Sequence, residues 1–167
     1  MEEHRGINHS IYSNYLNEHL LGSEGGVNAF KAAADTWRGT PHEGTFKSLA
    51  RQVKADQDDL HRIIRDLGYD HAPLRNALTL GVRLAGRINP VNLLRRRKIA
   101  MAQVELDTLT GMLRAKLSMW ETLLLLQLRD PRLDAALLKD LHRRAEEQIT
   151  QVRGVIEASW EERFLAD

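Results

Sequence analysis

The spacing of apolar residues limits the possible folds of this chain more than any other feature. In four long stretches, apolar or small side chains recur at steps of three and four residues, which places them on one face of an α-helix. The predicted helices run from about Asn8 to Trp37, along a stripe from Leu49 to Leu67 that stops at Gly68, from about Val91 to Leu128, and along a stripe from Leu138 to Trp160. No stretch shows the alternation typical of a β-strand, so the predicted fold class is all-α.

A helix with one apolar stripe must bury that stripe, and four such helices do so by packing together. We therefore predict a four-helix bundle formed by one domain over residues 1–167. An additional short helix is predicted between the second and third long helices, from Pro73 to Ile88. It would reach roughly 24 Å, which is enough to carry the chain along most of the bundle as a crossover. The alternative is an up-down-up-down bundle in which the short helix caps one end.

Two local features refine this prediction. Gly22, Gly25 and Gly26 lie inside the first helix, where glycine is unfavourable, and we interpret them as a site of close packing or of a kink. Asp130 is the candidate N-cap of the last helix, with Pro131 at its first position.

Composition removes several classes of protein. The chain has 167 residues, no cysteine and a formal net charge of +1, so a disulfide scaffold, thiolate catalysis and cysteine-bound metal centres are excluded. Unbroken apolar runs are short, as at Leu123–Leu126, and we expect no transmembrane segment. The opening residues Met1-Glu2-Glu3 are typical of neither a secretory nor a transit signal, so the expected location is the cytoplasm.

Three short segments resemble a group of uncharacterised bacterial ferritin-like four-helix-bundle proteins. They are Asn14–Leu20 near the start, Lys116–Trp120, and Asp130–Leu133 before the last helix. The resemblance implies a ferritin-like fold, and it places Lys116 on a helix that supplies a metal ligand in di-iron proteins. It implies no particular activity.

A ferritin-like bundle can be tested for a di-iron site. Such sites take a Glu from each of two helices and a Glu-x-x-His motif from each of the other two. None of the seven histidines has a Glu three residues before it, and the nearest variant is Asp58 with His61. By helical geometry both of these residues point away from the apolar stripe. We therefore expect a degenerate site, with no bound metal and no cofactor.

Other polar residues do fall on inward faces. They are His19, Asp56, Lys116 and His142, with Glu146 one turn further on. Because a buried charge needs a partner, we hypothesise that the Lys116 ammonium pairs with Asp56 and takes the charge role of a lost metal, flanked by the other three. Two alternatives stay open: the lysine reaches water beside ordinary core histidines, or His19, Asp56 and His142 bind one metal ion.

Positive charge is concentrated in one part of the chain. Residues 71–104 carry seven basic side chains and no acidic one. The basic residues are Arg75, Arg83, Arg87, Arg95, Arg96, Arg97 and Lys98. Such a block suits an anionic lipid surface or nucleic acid, but it lacks aromatic residues for base stacking. The favoured interpretation is a solvated face that pairs with acidic residues of neighbouring helices or of another subunit.

These patterns predict a non-enzymatic bundle with an interaction or stress-related role. No phosphate-binding glycine loop, His-Glu-x-x-His or Gly-x-Ser-x-Gly motif occurs in the sequence. The alternatives are a metal-binding oxidoreductase relative with an irregular ligand set, and a peripheral membrane or nucleic-acid binder acting through the basic block. A homo-oligomer is a further expectation, because Trp37, Trp120 and Trp160 are many large rings for one core.

Overall fold

Four helices make up most of the described chain. The computed structural model describes residues 6–69 and 95–166, and for residues 95–101 it describes the backbone alone. The helices are α1 (His9–Thr36), α2 (Glu43–Asp66), α3 (Arg95–Leu126) and α4 (Ala135–Phe164). Within the described ranges there is no strand, so the all-α prediction is confirmed there. The short helix predicted over residues 73–88 lies outside the described residues.

The helix ends agree with local chemistry, with one correction. The Asn8 side chain caps α1 by accepting a hydrogen bond from the Ile11 amide at 3.1 Å. Helix α4 begins four residues later than predicted, because Asp134 and not Asp130 is its N-cap. The Asp134 carboxylate accepts from the amides of Ala136 at 2.8 Å and Leu137 at 3.1 Å. Pro131 consequently lies in the turn before the helix.

Two apolar clusters show how the helices are oriented. One cluster joins the start of α1, the end of α2, the end of α3 and the start of α4, and we call this the Tyr12 end. The other joins the opposite parts of the same helices around Trp37, and we call it the Trp37 end. Helices α1 and α4 therefore run in one direction, and α2 and α3 run in the other.

This orientation bears on the predicted crossover. Helix α2 ends at the Tyr12 end, whereas α3 begins at the Trp37 end. Such a relation is the one expected for the crossover alternative and not for a simple up-down-up-down bundle. The connection itself, residues 70–94, lies outside the described residues.

The bundle consists of two closely packed hairpins, α1 with α2 and α3 with α4. They meet along two seams: the α1–α3 seam and the α2–α4 seam. Trp37 and Trp120 are buried, whereas Trp160 lies at the surface with 43% of its area exposed. None of the described helices combines the length and hydropathy needed to cross a membrane.

Candidate polar centre and apolar cleft

A network of polar side chains lies in the middle of the apolar core. Lys116 Nζ donates to Asp56 Oδ2 at 2.5 Å and also to Gln148 Oε1. Gln148 Nε2 in turn donates to the same Asp56 oxygen at 2.9 Å. Asp56 is 1% exposed and Gln148 is fully buried. Three helices, α2, α3 and α4, therefore each contribute one member of a closed triangle.

The helical repeat explains why these three side chains meet. Asp56 lies between Val53 and Leu60 on the buried stripe of α2, where a helix of this kind normally carries an apolar residue. Gln148 takes the corresponding place on α4, three residues after Ala145 and four before Val152. Each polar residue thus replaces one apolar residue of a stripe, and the packing of the bundle carries it into the interior.

Arg144 extends the network toward the α2–α4 seam. Its guanidinium lies 3.2 Å from Asp56 Oδ1, 2.5 Å from Asp59 Oδ2 and 3.2 Å from Asp140 Oδ2. The contact with Asp56 has the distance of an ion pair but not the alignment of a hydrogen bond. Among the described residues, Asp56 Oδ1 has no hydrogen-bond donor.

Burial governs the protonation of the central lysine. It lowers the pKa of Lys116, while the charge of Asp56 and its hydrogen bond act in the opposite direction. The Arg144 charge lowers the lysine pKa further. The ammonium consequently depends on Asp56 for its stability in the core.

An apolar cleft of about 830 Å³ opens between α1 and α3 beside this network. Its floor comes from α2 and includes Asp56, and Lys116 and Trp120 lie on its α3 side. The rest of the lining is mainly aliphatic, aromatic or glycine.

Glycine has a different role here from the one predicted. Gly22, Gly25 and Gly26 on α1 and Gly111 on α3 all line the cleft. Within the described part of the chain, a Cβ atom added at any of them would meet no atom within 4 Å, and α1 continues through the three glycines as one helix. The interpretation as a site of close packing is therefore wrong for these residues: the missing side chains border the open cleft.

The structure brings together two of the five residues in the predicted interior cluster, Asp56 and Lys116. His19 lies in the cleft wall, where its ring packs edge-on against Tyr15 with centroids 4.7 Å apart, and burial lowers its pKa. His142 lies nearer the surface, 3.7 Å from Glu121 and 3.4 Å from Glu146. His142 and Glu146 both lie on a partly exposed face of α4, and within the described part of the chain neither has a hydrogen bond or ion pair with Lys116.

Sequence reasoning missed Gln148 and Arg144. The signal for Gln148 was available, since it lies at a stripe position between apolar residues. Arg144 gave no such signal: its importance comes from acidic residues of α2 that are far away in sequence.

The donor set does not suit a di-iron centre. Lys116 and Gln148 both donate to Asp56 Oδ2, so this oxygen is already occupied, and a protonated lysine has no lone pair to offer a metal. Over residues 6–69 and 102–166, no group of three or more His, Asp or Glu side chains is arranged to hold a metal ion. The basic block cannot be placed: residues 75–94 lie outside the described residues, as do the side chains of Arg95–Lys98.

Fold and site together define an all-α helical bundle with an interior ion-pair network and an adjoining apolar cleft. Comparisons of the chain with protein-family models, with curated proteins and with solved structures find no match.

Proposed function

We propose that this chain is a ferritin-like four-helix bundle whose metal centre is replaced by side chains, and that it acts by binding and not by catalysis. The observation that carries the proposal is the position of Lys116 Nζ, held between Asp56 and Gln148 in the middle of the core. A positive charge stands there among three helices, as a metal ion does in di-iron bundles.

The directions of the helices support the ferritin-like part of the proposal. Helices α2 and α3 run the same way, so the chain returns from one end of the bundle to the other between them. This connection is the distinguishing feature of ferritin-like bundles among four-helix folds.

The composition of the network supports the binding role. Its charges are already paired: the ammonium with Asp56, and Arg144 with three carboxylates. A general acid or base needs a proton that it can exchange with substrate, whereas these groups spend their hydrogen bonds on one another. The network is therefore better suited to holding the helices together beside a cleft.

The proposal is tested by metal analysis of protein purified without a histidine tag. We expect substoichiometric iron, manganese and zinc. Stoichiometric metal that is lost on chelation together with thermal stability would overturn the proposal.

A substitution tests the replacement idea directly. Lys116→Glu would place a second carboxylate beside Asp56, and we expect Mn²⁺ to raise the Tm of this variant but not that of the wild type. Lys54→Glu is the matched control, because it creates an exposed pair of carboxylates with Asp58 on the surface of α2. A rise in Tm with the control alone, or with the wild type, would contradict the proposal. If Lys116→Glu does not fold, the metal content of the wild type still decides.

A further inference from the structure

The cleft between α1 and α3 has apolar walls that no helix covers within the described part of the chain. Its volume is about 830 Å³, and Leu21, Ala29 and Met112 are among the partly exposed apolar residues that line it. An apolar surface of this kind is stabilised when another apolar face packs against it and removes it from water. Two ends of the chain show which face is available.

The chain leaves α2 beside α1, at the Tyr12 end. Tyr69 is the last described residue before the connection of residues 70–94, and it contacts α1 in three places. Asn17 Nδ2 donates to the Tyr69 carbonyl at 3.2 Å, and the Tyr69 hydroxyl lies 2.5 Å from His9 Nδ1. The ring of Tyr12 packs edge-on against the ring of Tyr69, with centroids 5.2 Å apart. The connection therefore starts against one of the two helices that form the cleft.

The chain returns on the other helix of the cleft, at the opposite end of the bundle. Helix α3 begins at Arg95, and Glu105 on the same helix accepts a hydrogen bond from Trp37 Nε1 at 3.2 Å. By the helical rise, Arg95 lies about 15 Å beyond the level of Trp37. The connection thus passes from α1 at the Tyr12 end to α3 at the Trp37 end, and the cleft runs between the same two helices.

The length of the connection suits this course. Along the bundle, the distance from the level of Asn17 to Arg95 is about 45 Å. The helix that the sequence predicts over residues 73–88 would cover roughly 24 Å, and the rest of residues 70–94 would reach about 30 Å when extended. The chain is therefore long enough to carry a helix along the cleft and has little length to spare for a detour.

The sequence of residues 73–88 suits the cleft in polarity. Its apolar residues recur in steps of three and four, which predicts one apolar helix face: Leu74, Leu78, Val82 and Ala85. At Gly22 and Gly25 in the α1 wall, an added Cβ atom would meet no described atom within 4 Å. The cleft walls therefore leave room for the side chains of an added helix.

Charge also favours this segment. Residues 71–94 contain basic residues and no acidic one. On α1, Glu18 lines the cleft and Glu24 is exposed on the same helix, and within the described chain neither carboxylate forms an ion pair. A basic segment that lies against α1 would bring opposite charges together at the edge of the cleft.

We propose that the predicted helix of residues 73–88 packs its apolar face into the cleft, parallel to α1 and antiparallel to α3. The occupant of the cleft is then the connection of the chain itself, and the bundle has five helices around one core. This inference goes beyond the proposed function, because it holds whether or not the Lys116 ammonium replaces a metal ion.

A disulfide tests the contact directly. The chain has no cysteine, so full-length proteins that combine Gly25→Cys with Leu78→Cys, or Gly25→Cys with Val82→Cys, report proximity after oxidation. A disulfide requires Cα atoms within about 7 Å of each other. We expect at least one of the two proteins to form an intramolecular disulfide, with a yield about tenfold or more above that of Gly154→Cys combined with Leu78→Cys.

Gly154 is the matched control position, because it is an exposed, uncrowded glycine inside α4 and away from the cleft. Non-reducing electrophoresis and mass spectrometry give the yields. Yields no higher than that of the control in both Gly25 pairs would overturn the proposal. A disulfide that joins two chains instead of one would assign the cleft to a second copy, with the same consequence.

Thiol labelling measures how well the cleft is covered. Gly25 is exposed in the described part of the chain, so a PEG-maleimide would react at similar rates with Gly25→Cys and Gly154→Cys if the cleft were open. We expect Gly25→Cys to react about tenfold or more slowly. Leu78→Asp combined with Val82→Asp should remove this protection and leave the rate of Gly154→Cys unchanged, because charged residues do not pack into an apolar cleft.

Each further outcome of the labelling decides the matter. Equal rates for the two single variants would overturn the proposal. Protection that disappears on dilution would assign the cleft to a second copy, and protection that survives both aspartates in a folded monomer would assign it to another molecule, so each would overturn the proposal. Circular dichroism shows whether the aspartate variant is folded, and if it is not, the single variants and the disulfides still decide.

Discussion

The two seams that join the hairpins are built in opposite ways. The α2–α4 seam is closed by polar contacts: Arg144 bridges to Asp56 and Asp59, and Arg132 donates to the Leu67 carbonyl at 3.1 Å. The α1–α3 seam opens into the apolar cleft along its middle. Among the described residues, the hydrogen bonds across this seam lie at the Trp37 end, where Glu105 accepts from Trp37 Nε1 at 3.2 Å and from Thr36 Oγ1 at 3.4 Å.

The difference shows that apolar stripes alone do not determine what occupies the space between two helices. Both seams connect helices with buried stripes, yet one is bridged by polar side chains and the other opens into a cleft. On the α2–α4 seam, long charged side chains reach across the gap and are fixed by their partners. On the α1–α3 seam, glycines shorten both walls and border the open cleft.

The largest expected effect is at the centre of the network. Asp56→Ala leaves Lys116 and Gln148 without their shared acceptor and Arg144 without one of its ion-pair partners, and should lower the free energy of unfolding by about 3–5 kcal/mol. Urea denaturation measures this. Asp58→Ala is the control, because its exposed pair with Lys54 is worth about 0.5 kcal/mol or less.

A double variant sharpens this first prediction. Asp56→Leu combined with Lys116→Met removes both charges and fills the space with apolar groups, so it should recover much of the lost stability. If Asp56→Ala lies within about 1 kcal/mol of the wild type, the network does not hold the seam in the way we describe.

The second effect is at the Tyr12 end of the α2–α4 seam. Arg132 donates from Nε to Asp130 Oδ1 at 2.8 Å and from a terminal nitrogen to Oδ2 at 2.7 Å, and it also reaches the Leu67 carbonyl. Arg132→Ala should cost about 2–3 kcal/mol, because Asp130 is left buried without its partner. Arg132→Lys keeps the positive charge but loses the two parallel hydrogen bonds to Asp130. Its free energy of unfolding should lie between those of the wild type and Arg132→Ala.

The Arg132 effect should depend on pH in a defined direction. The hydrogen bond from Arg132 holds the pKa of Asp130 below its ordinary value of 3.8. The stabilisation is therefore complete above pH 3.8 and is lost as the pH falls through the lower folded-state pKa. Urea denaturation at neutral pH and in acid measures this. The difference in free energy of unfolding between the wild type and Arg132→Ala should be smaller in acid than at neutral pH. A constant difference would contradict the assigned partner.

A smaller effect is expected at the closed end of the α1–α3 seam. Burial raises the pKa of Glu105 above 4.5, so the folded state favours the protonated form. The contribution of Glu105 to the free energy of unfolding is complete below pH 4.5 and is lost as the pH rises through the folded-state pKa. Glu105→Gln keeps an acceptor for Trp37 without the charge, and should be more stable than the wild type at neutral pH by about 1 kcal/mol.

Comparison with a truncation checks this interpretation. Glu105→Ala leaves the Trp37 indole N–H without its acceptor and should be less stable than Glu105→Gln at every pH. Thermal unfolding across the acid-to-neutral range gives both curves. A Glu105→Gln protein that is less stable than the wild type at neutral pH would show that the carboxylate charge, and not its burial, dominates this contact.

The smallest effect concerns the open middle of the same seam. Gly22→Ala should raise the free energy of unfolding by about 0.5–1 kcal/mol, because alanine favours the helix and its Cβ meets no atom of the described residues within 4 Å. Gly154→Ala on α4 should give a similar gain by the same mechanism. Destabilisation by Gly22→Ala alone would indicate that another backbone approaches α1 there.

Much of this architecture was predictable, and particular residues show why. The stripe of α2 predicted both its helix and the inward position of Asp56, since the helical repeat is a local property. The pairing of Asp56 with Lys116 followed from the cost of burying a lone charge. The last helix was placed four residues too early, because Asp130 and Asp134 are equally good caps by residue type, and the Asp130 carboxylate accepts instead from Arg132 two residues later.

The residues alone determined which segments form helices, which faces are buried, and that a lysine and an aspartate interrupt those faces. These properties depend on neighbours three or four positions away, which the sequence displays directly. Tertiary structure decided the rest: that Gly22, Gly25 and Gly26 border open space, that Arg144 meets Asp56 and Asp59, and that one seam closes while the other opens. Each of these depends on the distance between helices far apart along the chain, and no local pattern encodes that distance.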